Sequence, residues 1–492
     1  LNAEAVRMAV KAALALGCSI RPKSRFARKN YFYPDLPKGY QISQYDLPLC
    51  FDGALDVRPA GREGFRVGII RAHLEEDAGK LLHEAPGGGA IDFSIADYNR
   101  AGTALLEIVS QPDIRSAEDA VEYCRALRNV CRFLGVSRGV LQKGHMRFEP
   151  NINTVLTFSD GRVVRTPIVE VKNLNSFAAV RDSILYELRE QPGRYLREGR
   201  EMGPGTKQTR GWDAAGQQTV LQREKEDAHD YRYFPDPDLL PVVIERPWVE
   251  RVRASLPEMP MVRVERTMRQ FGLGAKESLA LADERAVAEF FDASVEGAVA
   301  RGVERATAGK QVANVLLQSG AKRANERTDA LRRARADAEM SGDLAAERDE
   351  AAGDAAGSEG VLISDLVITP AQVGEIVALR VAGLIGSNSV DELFGLLCVG
   401  EDGRGGVAAS ESVEAMARAR GMIVERDDKA IDAWVRAAID EQPKAAEDVR
   451  AGKDAAIGRL VGAAMKHAGG KGDAKVLRER LLAALRGGGA SA

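Results

Sequence analysis

Residues 168–173 alternate between apolar and polar side chains, a pattern that predicts a β-strand with two different faces. Glu170 and Lys172 would lie on one face, and Val169 and Val171 on the other. Charged groups on an otherwise apolar strand are costly to bury unless something neutralises them. Two interpretations stay open at this point: the charged face binds a metal–phosphate complex, or it simply faces water.

Three further predicted strands, at about 65–71, 103–109 and 145–156, also carry polar faces. Glu107 is a lone carboxylate among aliphatic side chains, and Pro150 indicates an edge or a distortion in its strand. If the first of these strands continues beyond residue 71, its polar face carries Arg71, His73, Glu75 and Asp77. The polar face of the third strand carries Arg147, Glu149, Asn151 and Asn153. Four strands of this kind favour a bound ligand over plain solvation.

Oxygen ligands suit Mg²⁺, which proteins typically hold with one or two carboxylates together with nucleotide phosphates. Glu107, Glu149 and Glu170 fit that requirement, and neighbouring Arg and Lys residues could bind phosphate oxygens. The sequence contains no Walker-type phosphate loop, zinc-protease motif or serine nucleophile elbow. The glycine-rich segment 202–206 lacks the Walker lysine placement, so we interpret it as a mobile loop.

Composition narrows the class of protein. The 492 residues leave room for roughly two to four domains, and the formal net charge of -3 argues against a uniformly basic nucleic-acid binder. No apolar run reaches the ~18–20 residues that cross a bilayer, so no membrane partner is expected. The five cysteines lack a C-x-x-C pair, which is typical of reduced structural thiols in a cytoplasmic protein.

Strands and helices interleave up to about residue 243 without a regular βαβ rhythm, which predicts an α+β fold with an antiparallel or mixed sheet. The clearest helices of this part are predicted at 116–134 and 177–190, and from residue 251 helices dominate. We expect domains at 1–250, 251–400 and 401–492, with a low-complexity run at 322–360 that forms a long exposed helix or a disordered insert.

Several long motifs resemble one family. They are KNYFYPDLPKGYQISQYD at 29–46, HLEEDAGK at 73–80, DYNRAG at 97–102, LEIVS at 106–110, VEVKNLNS at 169–176 and DYRYFPDPD at 230–238. Together they resemble the B subunits of the aspartyl/glutamyl-tRNA amidotransferases, and the resemblance extends over nearly the whole chain.

The resemblance implies a subunit of a glutamine-dependent ligase in the cytoplasm of bacteria. An amidase A subunit would release ammonia, a small C subunit would complete the heterotrimer, and this chain would use ATP and Mg²⁺ to phosphorylate the carboxylate of Glu-tRNA(Gln) or Asp-tRNA(Asn). Ammonia would then displace phosphate and leave Gln-tRNA(Gln) or Asn-tRNA(Asn). The implied fold is an α+β cradle related to glutamine synthetase, followed by all-α regions that hold the tRNA.

The resemblance also implies roles for particular residues. The expected catalytic and metal-binding residues are Glu107, Glu149 and Glu170, and the expected ATP- or substrate-binding residues are His73, Arg147, Asn151, Lys172, Asn173, Asp230, Arg232 and Tyr233. In the tail, Lys453, Arg459 and Lys466 would contact the tRNA backbone, although lysines on a solvated helix face explain the same pattern.

Some features depart from the family pattern. We expect the chain to be N-terminally truncated, because it starts at Leu1, after the family's opening Gly-Leu-Glu-Val-His segment. The cysteine-rich segment of many members is also absent, so zinc is not expected. The segment 147–151 reads Arg-Phe-Glu-Pro-Asn where many members have Arg-Cys-Asp-Ala-Asn, which puts direct metal ligation by Glu149 in doubt. A non-catalytic tRNA-binding scaffold and a ligase for a small carboxylic acid remain alternatives.

Overall fold

A computed structural model describes residues 2–59, 61–84, 89–224, 231–341, 360–399, 412–423, 428–469 and 473–486. The chain divides into two compact units, Leu1–Val264 and Glu265–Ala492. Within the described residues, no helix combines the length and the apolar character that a membrane crossing requires.

The first unit contains the strands. They are β1 (Ser19–Ile20), β2 (Lys23–Ser24), β3 (Ala27–Asn30), β4 (Tyr40–Ser43), β5 (Cys50–Val57), β6 (Phe65–Glu76), β7 (Lys80–Glu84), β8 (Ala90–Asp97), β9 (Ala104–Ser110), β10 (Asn151–Ile152), β11 (Val155–Thr157), β12 (Val163–Arg165), β13 (Val169–Lys172), β14 (Gln208–Asp213), β15 (Gln218–Glu224), β16 (Phe234–Pro235) and β17 (Val242–Val243).

Helices occur along the whole chain. They are α1 (Ala3–Ala15), α2 (Ala117–Phe133), α3 (Phe177–Glu198), α4 (Arg246–Ala254), α5 (Pro260–Phe271), α6 (Ala275–Leu281), α7 (Arg285–Val299), α8 (Arg305–Val315), α9 (Ala321–Ser341), α10 (Pro370–Val381), α11 (Ser387–Val399), α12 (Val413–Ala419), α13 (Asp428–Glu441), α14 (Pro443–Arg450), α15 (Ile457–His467) and α16 (Ala474–Arg486). The predicted order of a mixed strand-and-helix part followed by a helical part is therefore confirmed.

Two four-stranded sheets organise the first unit. The first sheet has the order β1-β5-β6-β9 and is antiparallel, and the second has the order β10-β13-β14-β15 with one parallel pair, β13 and β14. The apolar faces of both sheets belong to one hydrophobic cluster with α1, α2 and α3, which includes Val67, Ile69, Val169 and Val171. On β6 the pairing with β9 shifts between Ile69 and Arg71, and beyond that irregularity Arg71, His73 and Glu75 alternate with the buried Ala72 and Leu74. On β13, Glu170 and Lys172 alternate with the buried valines.

Two helices test the local sequence signals. Ser116 caps α2 as predicted, because its hydroxyl accepts a hydrogen bond from the Asp119 amide at 3.1 Å. Helix α3 continues eight residues beyond the predicted end at 190, passes through Pro192 and stops at Gly199, whose φ is 66°. Proline usually ends or kinks a helix, so local signals do not indicate this extension.

The predicted strand at 145–156 is partly wrong. Residues 145–150 have no regular structure, and β10 begins at Asn151, although the Pro150 carbonyl already accepts a hydrogen bond from the Val171 amide at 3.0 Å. A proline has no N–H to donate to a sheet ladder, which explains why the strand cannot extend backwards through it. Arg147 and Glu149 consequently do not share a strand face.

The second unit packs its helices into two hydrophobic clusters. One extends from Phe271 to Ala417, and the other from Ile431 to Leu485. We expected domain boundaries at residues 250 and 400. The two compact units instead divide after Val264, and α12, which lies beyond residue 400, packs in the first cluster. The expected domains stay predictions. Part of the low-complexity run is helical, as α9, and residues 342–359 lie outside the described part of the chain.

Helices α7 and α10 approach closely where two glycines meet. A Cβ added to Gly374 would lie 2.5 Å from the carbonyl carbon of Gly297 and 2.6 Å from the amide of Ala298. Because backbone atoms cannot move aside cheaply, Gly374→Ala should lower the free energy of unfolding by about 3 kcal/mol, at the upper end for overpacked sites. Urea unfolding measures this change.

The matched control is Gly462→Ala in α15, where an added Cβ meets nothing within 4 Å. That substitution should stabilise the protein by about 0.5–1 kcal/mol, because alanine loses less backbone entropy in a helix than glycine. Equal effects of the two substitutions would contradict the close approach of α7 and α10.

Candidate active site

A cluster of three potential metal ligands lies on the polar face of the first sheet. His73 and Glu75 are on β6, and Glu107 on β9 is the cross-strand partner of His73. His73 Nε2 lies 3.7 Å from Glu107 Oε2 and 3.9 Å from Glu75 Oε2. One ligand atom from each residue can be chosen so that all lie within 4.8 Å of one another. We call these three residues the His73 cluster.

Burial shapes the electrostatics of the His73 cluster. It lowers the pKa of His73 to about 4, although Glu107 opposes the shift, so the imidazole is neutral at pH 7. Burial also raises the pKa of Glu75 to about 7, and the charges of Glu107 and Glu149 add to that rise. A neutral imidazole beside carboxylates that repel each other is a suitable donor set for a divalent cation.

A second group of charges, the Glu170 cluster, consists of Glu149, Glu170, Lys172 and Lys207. Lys207 Nζ lies 2.8 Å from Glu170 Oε2, whereas Lys172 Nζ lies 3.8 Å from Glu149 Oε2 and 4.0 Å from Glu170 Oε1. Lys172 therefore sits between two carboxylates and makes a close ion pair with neither. This arrangement confirms that Glu170 and Lys172 share the polar face of β13.

The two carboxylates of the Glu170 cluster titrate differently. Burial raises the pKa of Glu149, and repulsion from Glu170 offsets part of the attraction of Lys172. Burial alone would raise the pKa of Glu170 as well, but the hydrogen bond from Lys207 holds it below its usual value. Because the charge of Glu149 also acts on Glu75, the two clusters lie within electrostatic range of each other.

Arg147 makes a structural contact within this region. One of its terminal nitrogens donates to both oxygens of Asp77, at 2.7 and 2.6 Å, and Arg100 Nε lies 3.1 Å from the same carboxylate. Asp77 is thus held by two guanidinium groups at the end of β6. The predicted contact of Arg147 with phosphate or substrate stays a prediction.

The two predicted asparagines flank the Glu170 cluster. Asn151 is the cross-strand partner of Glu170 in the pairing of β10 with β13. Asn173 follows Lys172 directly and has a φ of 64°, a left-handed conformation that asparagine tolerates better than most residues. Their predicted roles in substrate binding are not tested by this geometry.

The segment that follows residue 230 contributes an aromatic pair. Tyr233 stacks on Tyr45 with ring centroids 4.3 Å apart, and burial together with the charges of Glu75 and Glu107 raises the pKa of Tyr233. Tyr233 therefore lies within range of the His73 cluster. Arg232 is exposed and has a φ of 45°, and Asp230 lies outside the described residues.

The predicted tRNA contacts are exposed residues of the second unit. Lys453 Nζ pairs with Asp448 at 3.0 Å, Lys466 Nζ pairs with Glu441 at 3.5 Å, and Arg459 is exposed on α15. Exposed ion pairs contribute little free energy, so these cations can exchange their partners for phosphates. Their role stays a prediction.

Sequence reasoning does not assign Glu75, Asp77 or Lys207 to the site. Glu75 and Asp77 share the predicted polar face with His73, so the alternation of β6 carries a signal for them. Lys207 follows the glycine-rich segment that we interpret as a mobile loop, and no local pattern indicates its hydrogen bond with Glu170.

Comparison with known proteins identifies the family. Residues 1–250 match the GatB/GatE catalytic domain, and residues 351–485 match the GatB domain. The chain is 36% identical over 486 residues to a relative from Thermodesulfovibrio yellowstonii. This alignment covers 99% of this chain and 89% of the relative. Relatives from Anaeromyxobacter dehalogenans and Thermomicrobium roseum are 40% and 39% identical, over 98% and 99% of this chain and 88% and 89% of their own lengths. All three are named as the B subunit of aspartyl/glutamyl-tRNA(Asn/Gln) amidotransferase, and the chain belongs to this family of B subunits.

Proposed function

We propose that this chain uses ATP to phosphorylate the side-chain carboxylate of Glu-tRNA(Gln) or Asp-tRNA(Asn), as part of a glutamine-dependent amidotransferase. The observation that carries the proposal is the pair of acidic clusters on polar sheet faces, within electrostatic range of each other. A carboxylate is a poor electrophile, and phosphorylation supplies a leaving group that ammonia can displace.

The donor set fits magnesium. It consists of carboxylate oxygens and one neutral imidazole, and the pKa of Glu75 is raised first by burial and then by the charge of Glu107, which a bound cation would offset. We propose that Glu107, Glu149 and Glu170 hold magnesium, with His73 and Glu75 completing the set. Bound magnesium would neutralise charge on the transferred phosphoryl group.

The chain's own residues position the reactants and offset charge. Phosphoryl transfer of this kind needs no protein nucleophile, so catalysis rests on placement and electrostatics. Lys207 keeps Glu170 ionised, and Lys172, held loosely between two carboxylates, can turn towards phosphate. Asn151, Asn173, Arg147 and the Tyr233 region complete the proposed binding surface.

We further propose the assembly that such a reaction requires. An amidase A subunit would supply ammonia, and a small C subunit would complete a cytoplasmic heterotrimer. The helical tail would bind tRNA through Lys453, Arg459 and Lys466, and the first unit would be related in fold to glutamine synthetase. The name of the relatives supports the amidotransferase and the two tRNAs.

A non-catalytic tRNA scaffold is the alternative. Such a scaffold would have no use for two partly buried carboxylates gathered around a buried imidazole, because desolvated like charges destabilise the fold. The His73 cluster therefore favours the enzyme.

Co-expression with the A and C subunits provides the test. We expect glutamine-dependent conversion of Glu-tRNA(Gln), Asp-tRNA(Asn) or both, and a loss of conversion when ATP or Mg²⁺ is omitted. Separation of the aminoacyl products by chromatography after deacylation measures the reaction. Binding of both tRNAs without ATP-dependent conversion would support the scaffold instead.

A further inference from the structure

Two cations beside the His73 cluster have no carboxylate partner among the described residues. Arg71 lies on β6, two residues before His73 on the same face, and Lys29 lies on β3. Burial is the main reason that the pKa of His73 is low, and the charges of Arg71 and Lys29 lower it further. Geometry also connects the strand of Lys29 to the cluster: Lys29 is the cross-strand partner of Gln41 on β4, and the Ser43 hydroxyl on β4 donates to Glu75 Oε2 at 3.4 Å. Lys29 also acts on Glu75.

Aromatic rings hold Lys29. Its ammonium nitrogen lies 4.9 Å from the centroid of the Tyr231 ring and 5.7 Å from that of Tyr31, and the two rings meet edge to face at 5.8 Å. Such cation–π contacts orient an ammonium group without neutralising its charge. Lys29 is half-buried, so its charge stays available to an anion that enters from the His73 side.

Arg71 has an unsatisfied donor. Its Nε is buried and has no hydrogen-bond partner in the described part of the chain. A buried donor without a partner costs roughly 1–3 kcal/mol, more when it carries charge. A guanidinium group donates in a fork that matches the oxygens of a phosphoryl group.

Three neighbouring cations are already engaged by protein carboxylates, whereas Lys172 makes no close ion pair. Arg147 and Arg100 both bind Asp77, and Lys207 binds Glu170. Within the described part of the chain no carboxylate pairs with Lys29 or Arg71, so the two cations are available to an anionic ligand.

We propose that Lys29 and Arg71 bind the phosphoryl group during its transfer, as the cationic counterpart of the His73 cluster. The inference rests on the proposed function. In the step, a carboxylate oxygen of the aminoacyl-tRNA forms a bond to the γ-phosphorus of ATP. The bond from that phosphorus to the β,γ-bridging oxygen breaks, and ADP leaves with the electron pair. The two cations offset negative charge on the equatorial oxygens, and no proton is transferred.

Lys29→Met and Arg71→Met test the proposal in the heterotrimer, with ammonium chloride as the nitrogen donor so that the amidase is bypassed. Each should lower kcat for amidation by about 100-fold, in the range for loss of one preorganised charge-stabilising donor. The KM for aminoacyl-tRNA should change by less than about threefold, because the cations act mainly in the transition state. Arg71→Lys should fall between Arg71→Met and wild type, because it keeps the charge and loses the fork.

Matched controls are available in the same unit. Arg66→Met changes an exposed arginine on β6 that pairs with Asp56, and Lys23→Met changes an exposed lysine on β2. Both should keep wild-type amidation. Glutaminase activity, measured in every variant, reports whether the complex is intact.

The outcomes separate the inference from the function on which it rests. If wild type shows no ATP-dependent amidation, the proposed function fails. If wild type is active and the Lys29 and Arg71 variants match the controls, the inference alone is overturned. An increase in the KM for aminoacyl-tRNA at unchanged kcat would also overturn it, since the cations would then bind the substrate carboxylate.

Discussion

Glu107→Gln is expected to lower ATP-dependent amidation by about 10²–10³-fold, while glutaminase activity of the partner subunit remains measurable. Glutamine has the shape of glutamate but only one oxygen and no charge. The substitution therefore removes a carboxylate that faces His73 Nε2 at 3.7 Å and contributes to the charge of the His73 cluster. Initial rates with ammonium and with glutamine, measured on the same preparation, give the two activities.

Glu63→Gln is the control for this substitution, because Glu63 is an exposed carboxylate outside both clusters. It should leave both activities unchanged. Amidation by Glu107→Gln at the rate of the control would remove Glu107 from the site. Loss of glutaminase activity as well would show that the substitution disrupts the complex.

The second large effect is on stability. Glu187 on α3 is fully buried, and Arg194 Nη1 donates to it at 3.0 Å while Arg210 Nε lies 3.5 Å away. The Thr219 hydroxyl and the Gln191 amide also donate to this carboxylate. The contacts tie α3 to β14 and β15, and so to the sheet that presents Glu170. Glu187→Ala should lower the free energy of unfolding by about 3–5 kcal/mol, because it leaves two guanidinium groups without their anion.

Urea unfolding of the purified chain measures this loss. Glu190→Ala, on the same helix, removes a partly exposed carboxylate paired with Arg189 and should cost less than about 1 kcal/mol. A Glu187→Ala protein as stable as Glu190→Ala would contradict the buried network. We also expect the Glu187→Ala protein to keep its amidation activity at temperatures where it remains folded. Glu187 stabilises the packing of α3 on the sheet and belongs to neither charged cluster.

Local patterns in the sequence predict the parts of the site that a single strand can specify. Alternation in 168–173 places Glu170 and Lys172 on one face and the buried Val169 and Val171 on the other. The meeting of His73 with Glu107 depends on the register of two strands that are about thirty residues apart in sequence, and no local signal determines that register. The hydrogen bond from Lys207 to Glu170 depends on the parallel pairing of β13 with β14 in the same way.

The helices show the same division between local and tertiary control. The start of α2 is predictable because Ser116 is a local capping signal. The extension of α3 through Pro192 is not, because Gln191 and Arg194, on either side of the proline, make buried contacts with Thr166 and Glu187. Those tertiary contacts offset the hydrogen bond that proline cannot make.

Trapping of the activated carboxylate tests the central proposal most directly. The heterotrimer is incubated with Glu-tRNA(Gln) or Asp-tRNA(Asn), ATP, Mg²⁺ and hydroxylamine, without glutamine or ammonia, and the aminoacyl group is analysed after its release from tRNA. We predict the side-chain hydroxamate in wild type, and its absence when ATP is omitted or when Glu107 is replaced by Gln. Equal hydroxamate formation with and without ATP would contradict the assignment of carboxylate activation to this chain.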